Sequence, residues 1–431
     1  MKIAIIGGAG VRTPLLVNGL TQSDLPIDEI ALFDVDLGRL RVIGTLAAEF
    51  GTAVRLHDDA SSCVAGADFV LLSIRVGGIA ARARDEAITV ADGIAGQETV
   101  GPAGFAMAMR TIPHAIEYAR LVEREAPSAW IVSFTNPVGI VSQAMLSATG
   151  ARVVGICDTP TELFEDVAHA LGVESTRCAF DYFGLNHLGW LREVYVDGQP
   201  SLGRIWNRPD LLERIYRAPL FEASFLERLR LLPTEYLYYY YCADRALANL
   251  RSAGRTRGQT IQDLNDRLFA DLAGARENTA RRRIYEDYIA ARSAGYMQIE
   301  SGADKSTAAS PGAALTGYDK IALSVLRAIH FDSHAVIPLN VLNRGTIGEL
   351  AAGDVVEVPC LVSAEGARPA GVLQVPPHAS DLIVRVKEYE RLTIAAAASR
   401  SKTDIERALA ANPLVRDVDQ AARLTAALGP W

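Results

Sequence analysis

The chain is poor in the features that would tie it to nucleic acid, a membrane or an oxidising compartment. Its 43 Lys and Arg are outnumbered by 51 Asp and Glu, giving a net charge of −8, which argues against a nucleic-acid surface but leaves room for a local cationic pocket. Five cysteines (Cys63, Cys157, Cys178, Cys242, Cys360) are odd in number, scattered and never arranged as CxxC. That excludes a disulfide framework and fits a reducing compartment. No apolar run reaches the ~20 residues of a membrane span, and the first residues form a strand and a glycine turn where a signal peptide would have a charged and then apolar stretch. A cytoplasmic protein without nucleic-acid or membrane partners is expected. Neither an internal repeat nor a low-complexity linker occurs, and at 431 residues the chain should form about two domains.

What is present begins at the N-terminus. The apolar run Lys2 to Ile6 leads into Gly7-Gly8-Ala9-Gly10, and Pro14 to Leu20 has a helical pattern. A strand, a glycine turn and a helix start let backbone N–H groups approach a pyrophosphate. The G-x-G-x-x-G pattern is incomplete, with Thr13 at the third glycine. A second strand, Glu29 to Phe33, ends in Asp34, about twenty residues beyond the turn, where an adenosine ribose needs an acceptor. An acid there favours NAD over its 2′-phosphorylated form.

Further strands are expected at 68–74, 129–134 and 152–156, with helices between them, notably Ala106 to Glu125. This alternation predicts an α/β fold: a Rossmann-like, doubly wound parallel sheet over 1–165, followed by an α+β domain over 166–431. Three strand ends carry polar clusters, Arg75-Val76-Gly77-Gly78, Thr135-Asn136-Pro137 and Cys157-Asp158, where ligands of such sheets bind. Gly96 to Gly104 reads as a mobile or tightly turned loop. Arg82 before it is either a solvated ion-pairing residue or a clamp on an anionic or polyhydroxyl substrate. Cys157 and His187 follow strand-like segments, and a thiol and an imidazole there could converge on one ion; spacing alone leaves packing roles equally open.

Beyond His187 a strand is expected over Leu188 to Asp197 and a helix over Asp210 to Leu232, broken at Pro219. Helices at Thr260 to Leu272, Arg276 to Ser293, Tyr318 to Ile329 and Leu382 to Ala398 follow, with strands at Asp354 to Cys360 and Gly371 to Val375. Five tyrosines crowd Tyr236 to Tyr241; most must pack or form an interface, and at most one or two can face a site.

Taken together, Ile5-Ile6-Gly7-Gly8, Ile74-Arg75-Val76-Gly77-Gly78, Gly96-Gln97-Glu98-Thr99, Phe134-Thr135-Asn136-Pro137, Cys157-Asp158-Thr159-Pro160, Gly184-Leu185-Asn186-His187, Tyr236-Leu237-Tyr238-Tyr239-Tyr240 and Val356-Glu357-Val358-Pro359-Cys360 occur in the order of the NAD-dependent family 4 glycoside hydrolases, which the chain resembles over nearly its whole length. The family is an exception to two-carboxylate glycoside hydrolysis. The resemblance implies a lactate/malate dehydrogenase-like second domain, NAD, a divalent metal (Mn²⁺) and a homodimer or homotetramer. It further implies a phosphosugar glycoside substrate, a 6-phospho-β-glucoside first. The implied route is C3 oxidation, C2 deprotonation, elimination, water addition and re-reduction.

On this resemblance Cys157 and His187 are the metal ligands, Tyr236 is the base, and Asp158 matches an acid at the leaving oxygen. Gly7, Gly8, Gly10, Val11, Arg12, Asp34 and Arg75 face the cofactor, with Arg75 a further substrate candidate. Arg82, Asn136, Asn186 and Arg257 match substrate contacts. Asp158 is shared with 6-phospho-α-glucosidases, whereas many β members carry Asn. Arg12 stands where phosphosugar members more often have small hydroxyl residues, which admits a plain glycoside as the alternative. A 2-hydroxy acid dehydrogenase of the lactate/malate type shares the architecture, and a non-catalytic NAD-binding protein is a third reading.

Overall fold

A computed structural model describes residues 1–51, 53–216, 218–302, 317–371 and 374–431 of the chain. Six short strands alternate with helices in the first half: β1 (Lys2–Ile6), β2 (Glu29–Phe33), β3 (Val54–Leu56), β4 (Phe69–Leu72), β5 (Trp130–Ser133) and β6 (Arg152–Gly155). All pair in parallel in the order 3-2-1-4-5-6, the order of dinucleotide-binding sheets. The apolar runs of the central strands are continuous, as Phe-Val-Leu-Leu in β4 shows, because helices cover both faces; the edge strand β3, Val-Arg-Leu, was not expected from the sequence and is partly exposed.

The second half opens with β7 (Cys178–Leu185) and β8 (Leu188–Val196), an antiparallel hairpin turning at Asn186-His187. The short β9 (Gln199–Pro200) and β10 (Leu232–Pro233) pair with β8. Later, β11 (Ala335–Leu342), β12 (Val355–Ser363) and β13 (Gly366–Pro369) return to the first sheet. β11 joins β6 antiparallel through Asn340 and Gly155, so one nine-stranded sheet spans both halves.

Several expectations are corrected. Asp210 to Leu232 is two short helices, Pro209–Leu212 and Ala223–Leu229, with irregular chain around Pro219; proline removes a donor and blocks the preceding turn. Tyr238 and Tyr239 are buried within their own chain, so they are core and not interface residues. The Gly96–Gly104 stretch is pinned: Gln97 Oε1 accepts from the Thr99 and Val100 N–H groups at 2.6 and 2.9 Å. Of the strand expected at 371–375, residues 372–373 lie outside the described ones. Among the described residues no helix is long and apolar enough to cross a membrane.

Candidate active site

The glycine turn is built by sterics. The Gly7 and Gly8 N–H groups both donate to the Phe33 carbonyl, at 3.0 and 2.8 Å. Gly7 has φ +92°, and a Cβ there would lie 2.0 Å from the Ser73 carbonyl oxygen, so only glycine fits. Gly10 donates to the Gly7 carbonyl at 3.0 Å, and the helix Thr13–Gln22 starts with proline in its first turn. Asp34 sits beside the turn, accepting from Ala9 N–H at 3.1 Å. Burial raises its pKa, partly offset by backbone donors from Asp36 and Ala9. A buried acceptor next to a helix N-terminus and a side-chain-free turn fits an adenine dinucleotide. The Val11 carbonyl accepts from the Tyr285 hydroxyl at 2.8 Å.

The end of β6 and the β7–β8 turn meet at the sheet edge. Cys157 Sγ and His187 Nε2 are 3.4 Å apart and both residues are buried. Zinc-like bonds of about 2.3 Å to sulfur and about 2.1 Å to nitrogen place such donors about 3.1 Å apart at a right angle and about 3.6 Å at the tetrahedral angle; the observed separation falls between them. His187 has φ +59°, a conformation rare outside glycine that holds the ring over the strand end.

The ring's tautomer follows from its neighbours. The Thr99 hydroxyl donates to Gln97 Oε1 at 2.7 Å and lies 2.7 Å from His187 Nδ1, so it accepts the Nδ1 proton and leaves Nε2 bare toward Cys157. Burial pushes the His187 pKa down to about 4, only slightly opposed by Glu98, so the ring is a neutral ligand. Burial, then the carboxylates of Glu357 and Asp158, push the Cys157 thiol well above its usual range; a divalent cation would supply the opposing charge. Among the described residues no group of three or more His, Cys, Asp or Glu gathers to hold a metal. Two protein donors leave the remaining positions to a substrate.

Behind the turn lies a carboxylate that the sequence reading left without a role. Glu357 of β12 accepts from the Tyr182 hydroxyl at 2.7 Å, from Asn186 Nδ2 at 3.1 Å and from Asn340 Nδ2 at 2.8 Å. Burial raises its pKa to about 7 despite these donors. The Asn186 amide therefore faces Glu357, behind the hairpin. A Cβ at Gly189 would lie 1.9 Å from the Tyr182 hydroxyl oxygen, so that glycine lets Tyr182 reach across.

A cavity of about 1330 Å³ opens beside this pair, lined among others by Arg12, Arg82, Asn136, Asp158, Tyr236 and Arg257. The structure thus brings six of the expected site residues to one wall. Tyr236 stacks on His187, ring centres 3.8 Å apart and planes within 17°. Asn136 Oδ1 is buried without a hydrogen-bond partner. Asp158 Oδ2 lies 3.9 Å from the Arg12 guanidinium.

Arg82 is clamped by Glu86 at 2.7 Å and Glu98 at 3.0 Å. Burial works against its charge, but the two glutamates outweigh that and raise its pKa. Glu98, which also lines the cavity, holds Arg75 at 2.5 Å; Arg75 itself is not among the residues lining the large cavity. Burial would raise Glu98, but Arg75, Arg82 and Arg292 hold it at about 2.

Sequence reasoning missed Arg292. It lies on a helix, Asn278–Ala294, that reads as a charged surface, yet it lines the same cavity and donates to the Tyr288 hydroxyl at 2.9 Å. Burial, with repulsion from Arg12 and Arg82 that Tyr288 only partly offsets, lowers its pKa. Arg257 is brought down to about 10 by burial, Arg292 and Arg82. Glu86 and Glu98 neutralise Arg82, and Arg12 faces Asp158, so it is the buried charges of Arg257 and Arg292 that an anion in the cavity would relieve.

A dinucleotide fold with a Cys–His pair, a tyrosine stacked on it and an arginine-rich cavity defines a nucleotide- and metal-using enzyme of polar, anionic small molecules. The sequence model described as family 4 glycosyl hydrolase matches residues 2–173, and that of the family 4 glycosyl hydrolase C-terminal domain matches residues 182–415. The chain belongs to this family. It is 30% identical to a probable 6-phospho-beta-glucosidase of Bacillus subtilis, over 96% of this chain and 92% of that protein. A solved 6-phospho-beta glucosidase of Thermotoga maritima with manganese, NAD⁺ and glucose-6-phosphate is similar at TM-score 0.82 and 28% identity, covering 99% of this chain and 97% of that one. A 6-phospho-alpha-glucosidase from gut microorganisms with NAD and glucose-6-phosphate follows at TM-score 0.80 and 25% identity, over 99% and 96%.

Proposed function

We propose that the chain is an NAD⁺- and Mn²⁺-dependent 6-phosphoglycosidase, with 6-phospho-β-glucosides as first substrates. The observation that carries this reading is the placement of Arg12, Arg82, Arg257 and Arg292 around the cavity that also holds Tyr236, beside the Cys157–His187 pair. The relatives' names and bound molecules support it. When bound, NAD⁺ accepts and returns the C3 hydride, and the metal polarises the sugar oxygens.

The chain's own residues do the rest. Cys157 and His187 fix the ion, and Arg257 and Arg292 hold the 6-phosphate. Asn136 offers its unpartnered Oδ1 to a sugar hydroxyl. Tyr236 removes the C2 proton, which becomes acidic beside an oxidised C3, and the C1–O bond then breaks by elimination. Asp158, which lines the cavity, protonates the leaving oxygen in this reading. Water adds to the unsaturated sugar, so the net reaction is hydrolysis without accumulation of NADH.

In this reading residues 1–165 carry the cofactor and residues 166–431 the sugar and the assembly, with Cys157 reaching across. The assembly is a homodimer or homotetramer, in keeping with the neighbouring exposed Val336 and Leu361 of β11 and β12; sedimentation measures it. The deciding assay supplies NAD⁺, Mn²⁺ and a reductant and follows nitrophenol release. It uses α and β, gluco and galacto nitrophenyl glycosides, each with and without the 6-phosphate. Release confined to a phosphorylated substrate is expected; no release from any of them sinks the proposal.

A further inference from the structure

The candidate base does not stand alone. Tyr296, just past the helix Asn278–Ala294, lines the same cavity. Its hydroxyl oxygen is 3.1 Å from that of Tyr236, and it donates its single proton to Glu235 Oε1. A phenol has one proton and two lone pairs. Because the Tyr296 proton is committed to Glu235, the hydrogen between the two tyrosines belongs to Tyr236, which donates to Tyr296. The order is therefore directional: Tyr236 to Tyr296 to Glu235.

Resting on the reading that Tyr236 is the base, we infer that Tyr296 and Glu235 form a proton path that readies it. The Tyr236 hydroxyl proton passes to the Tyr296 oxygen as the Tyr296 proton passes to Glu235. This leaves a Tyr236 phenolate, a neutral Tyr296 and a protonated Glu235, with no change in total charge. The phenolate then takes the C2 proton, and when C2 is reprotonated the path runs backwards. An unassisted phenol, with a pKa of about 10, is mostly protonated at neutral pH. The geometry gives its proton somewhere to go without crossing the metal site. Neither Tyr296 nor Glu235 touches the sugar in this scheme; both act through Tyr236.

The test uses the full-length enzyme with NAD⁺ and Mn²⁺ and the nitrophenyl glycoside 6-phosphate it cleaves, unlabelled and deuterated at C2. Tyr296→Phe and Glu235→Gln should each lower kcat by about 10². Both should raise the C2 isotope effect on kcat while leaving KM and the NAD⁺ dissociation constant as in wild type. Unchanged kcat and isotope effect in both variants would overturn the path, as would losses confined to KM or accompanied by weakened NAD⁺ binding. Tyr236→Phe separates the two ideas. If it retains full activity, the base assignment fails and the path with it. If it is inactive while both relay variants behave as wild type, the path alone fails.

Discussion

Thr99 accepts from His187 Nδ1 across 2.7 Å and, through its own proton, is tied to Gln97. One hydroxyl thus decides which imidazole nitrogen is available as a ligand. Thr99→Val should loosen the ring and weaken Mn²⁺ binding by about 10–100-fold, read by electron paramagnetic resonance of the free ion. Thr99→Ser should restore most of the affinity.

Metal affinity should rise with pH, and the responsible group is the thiol. His187, held at about 4, is already neutral in the working range and contributes no proton. Cys157 is held protonated by burial and by Glu357 and Asp158, so binding must displace that proton. Affinity should increase about tenfold per unit between roughly pH 6 and 8, with about one proton released per ion. Calorimetry in buffers of different ionisation enthalpy measures the proton count; a release of none would contradict thiolate ligation.

Arg292→Gln removes one charge from the positive end of the cavity. It should cost a phosphorylated substrate about 1.5–3 kcal/mol of binding, or about 10–100-fold in kcat/KM, and leave an unphosphorylated glycoside unaffected. Comparable losses on both substrates would place Arg292 elsewhere in the reaction.

At Gly7 a methyl group would meet the Ser73 carbonyl oxygen at 2.0 Å in a left-handed backbone. Gly7→Ala should lower stability by about 1–2 kcal/mol from the backbone conformation alone, with the clash adding to it. NAD⁺ titration should show weakened binding alongside a reduced Tm.

Asp158 lines the cavity and lies 3.9 Å from Arg12. Asp158→Asn should slow substrates with poor leaving groups far more than nitrophenyl ones if the carboxyl protonates the leaving oxygen. Equal losses would make it a residue that positions the Cys157 end of β6.

The parallel half was legible where its strands are buried, in β1, β2, β4, β5 and β6, whose apolar runs stand out; the edge strand β3, Val-Arg-Leu with two exposed residues, was missed because it carries no such run. Cys157 and His187 could be singled out as candidates because each follows a strand, but their roles, and the choice of Tyr236 among five tyrosines, rested on the family resemblance. Glu357, Tyr296 and Arg292 were recognised only in part or not at all. Glu357 sits inside a strand that reads as core, and its role depends on Tyr182 and Asn186, more than 170 positions earlier. Arg292 lies on a helix whose polar composition reads as solvated, and the Tyr236–Tyr296 contact spans 60 positions. Such partnerships are properties of packing, which no local pattern of residues encodes. Of the helix expected over 210–232 with a break at Pro219, only Pro209–Leu212 and Ala223–Leu229 are helical, so the break is wider than the proline alone accounts for.

Gly155, Asn340 and Glu357 lie in register on three adjacent strands, and Glu357 then reaches the turn beside His187 through Asn186. A side chain at Gly155 would strike Asn340 at 2.8 Å and Ser142 at 2.6 Å, so the spacing along this line has no slack. The late strands thus act as a splint laid across an early fracture. A chain ending before residue 330 would keep every residue expected to touch nucleotide, both metal donors and the tyrosine, yet would lose the support that Glu357 gives the His187 turn through Asn186. The last hundred residues supply none of the expected metal donors or catalytic side chains, yet Asn340 and Glu357 among them brace the turn that carries His187.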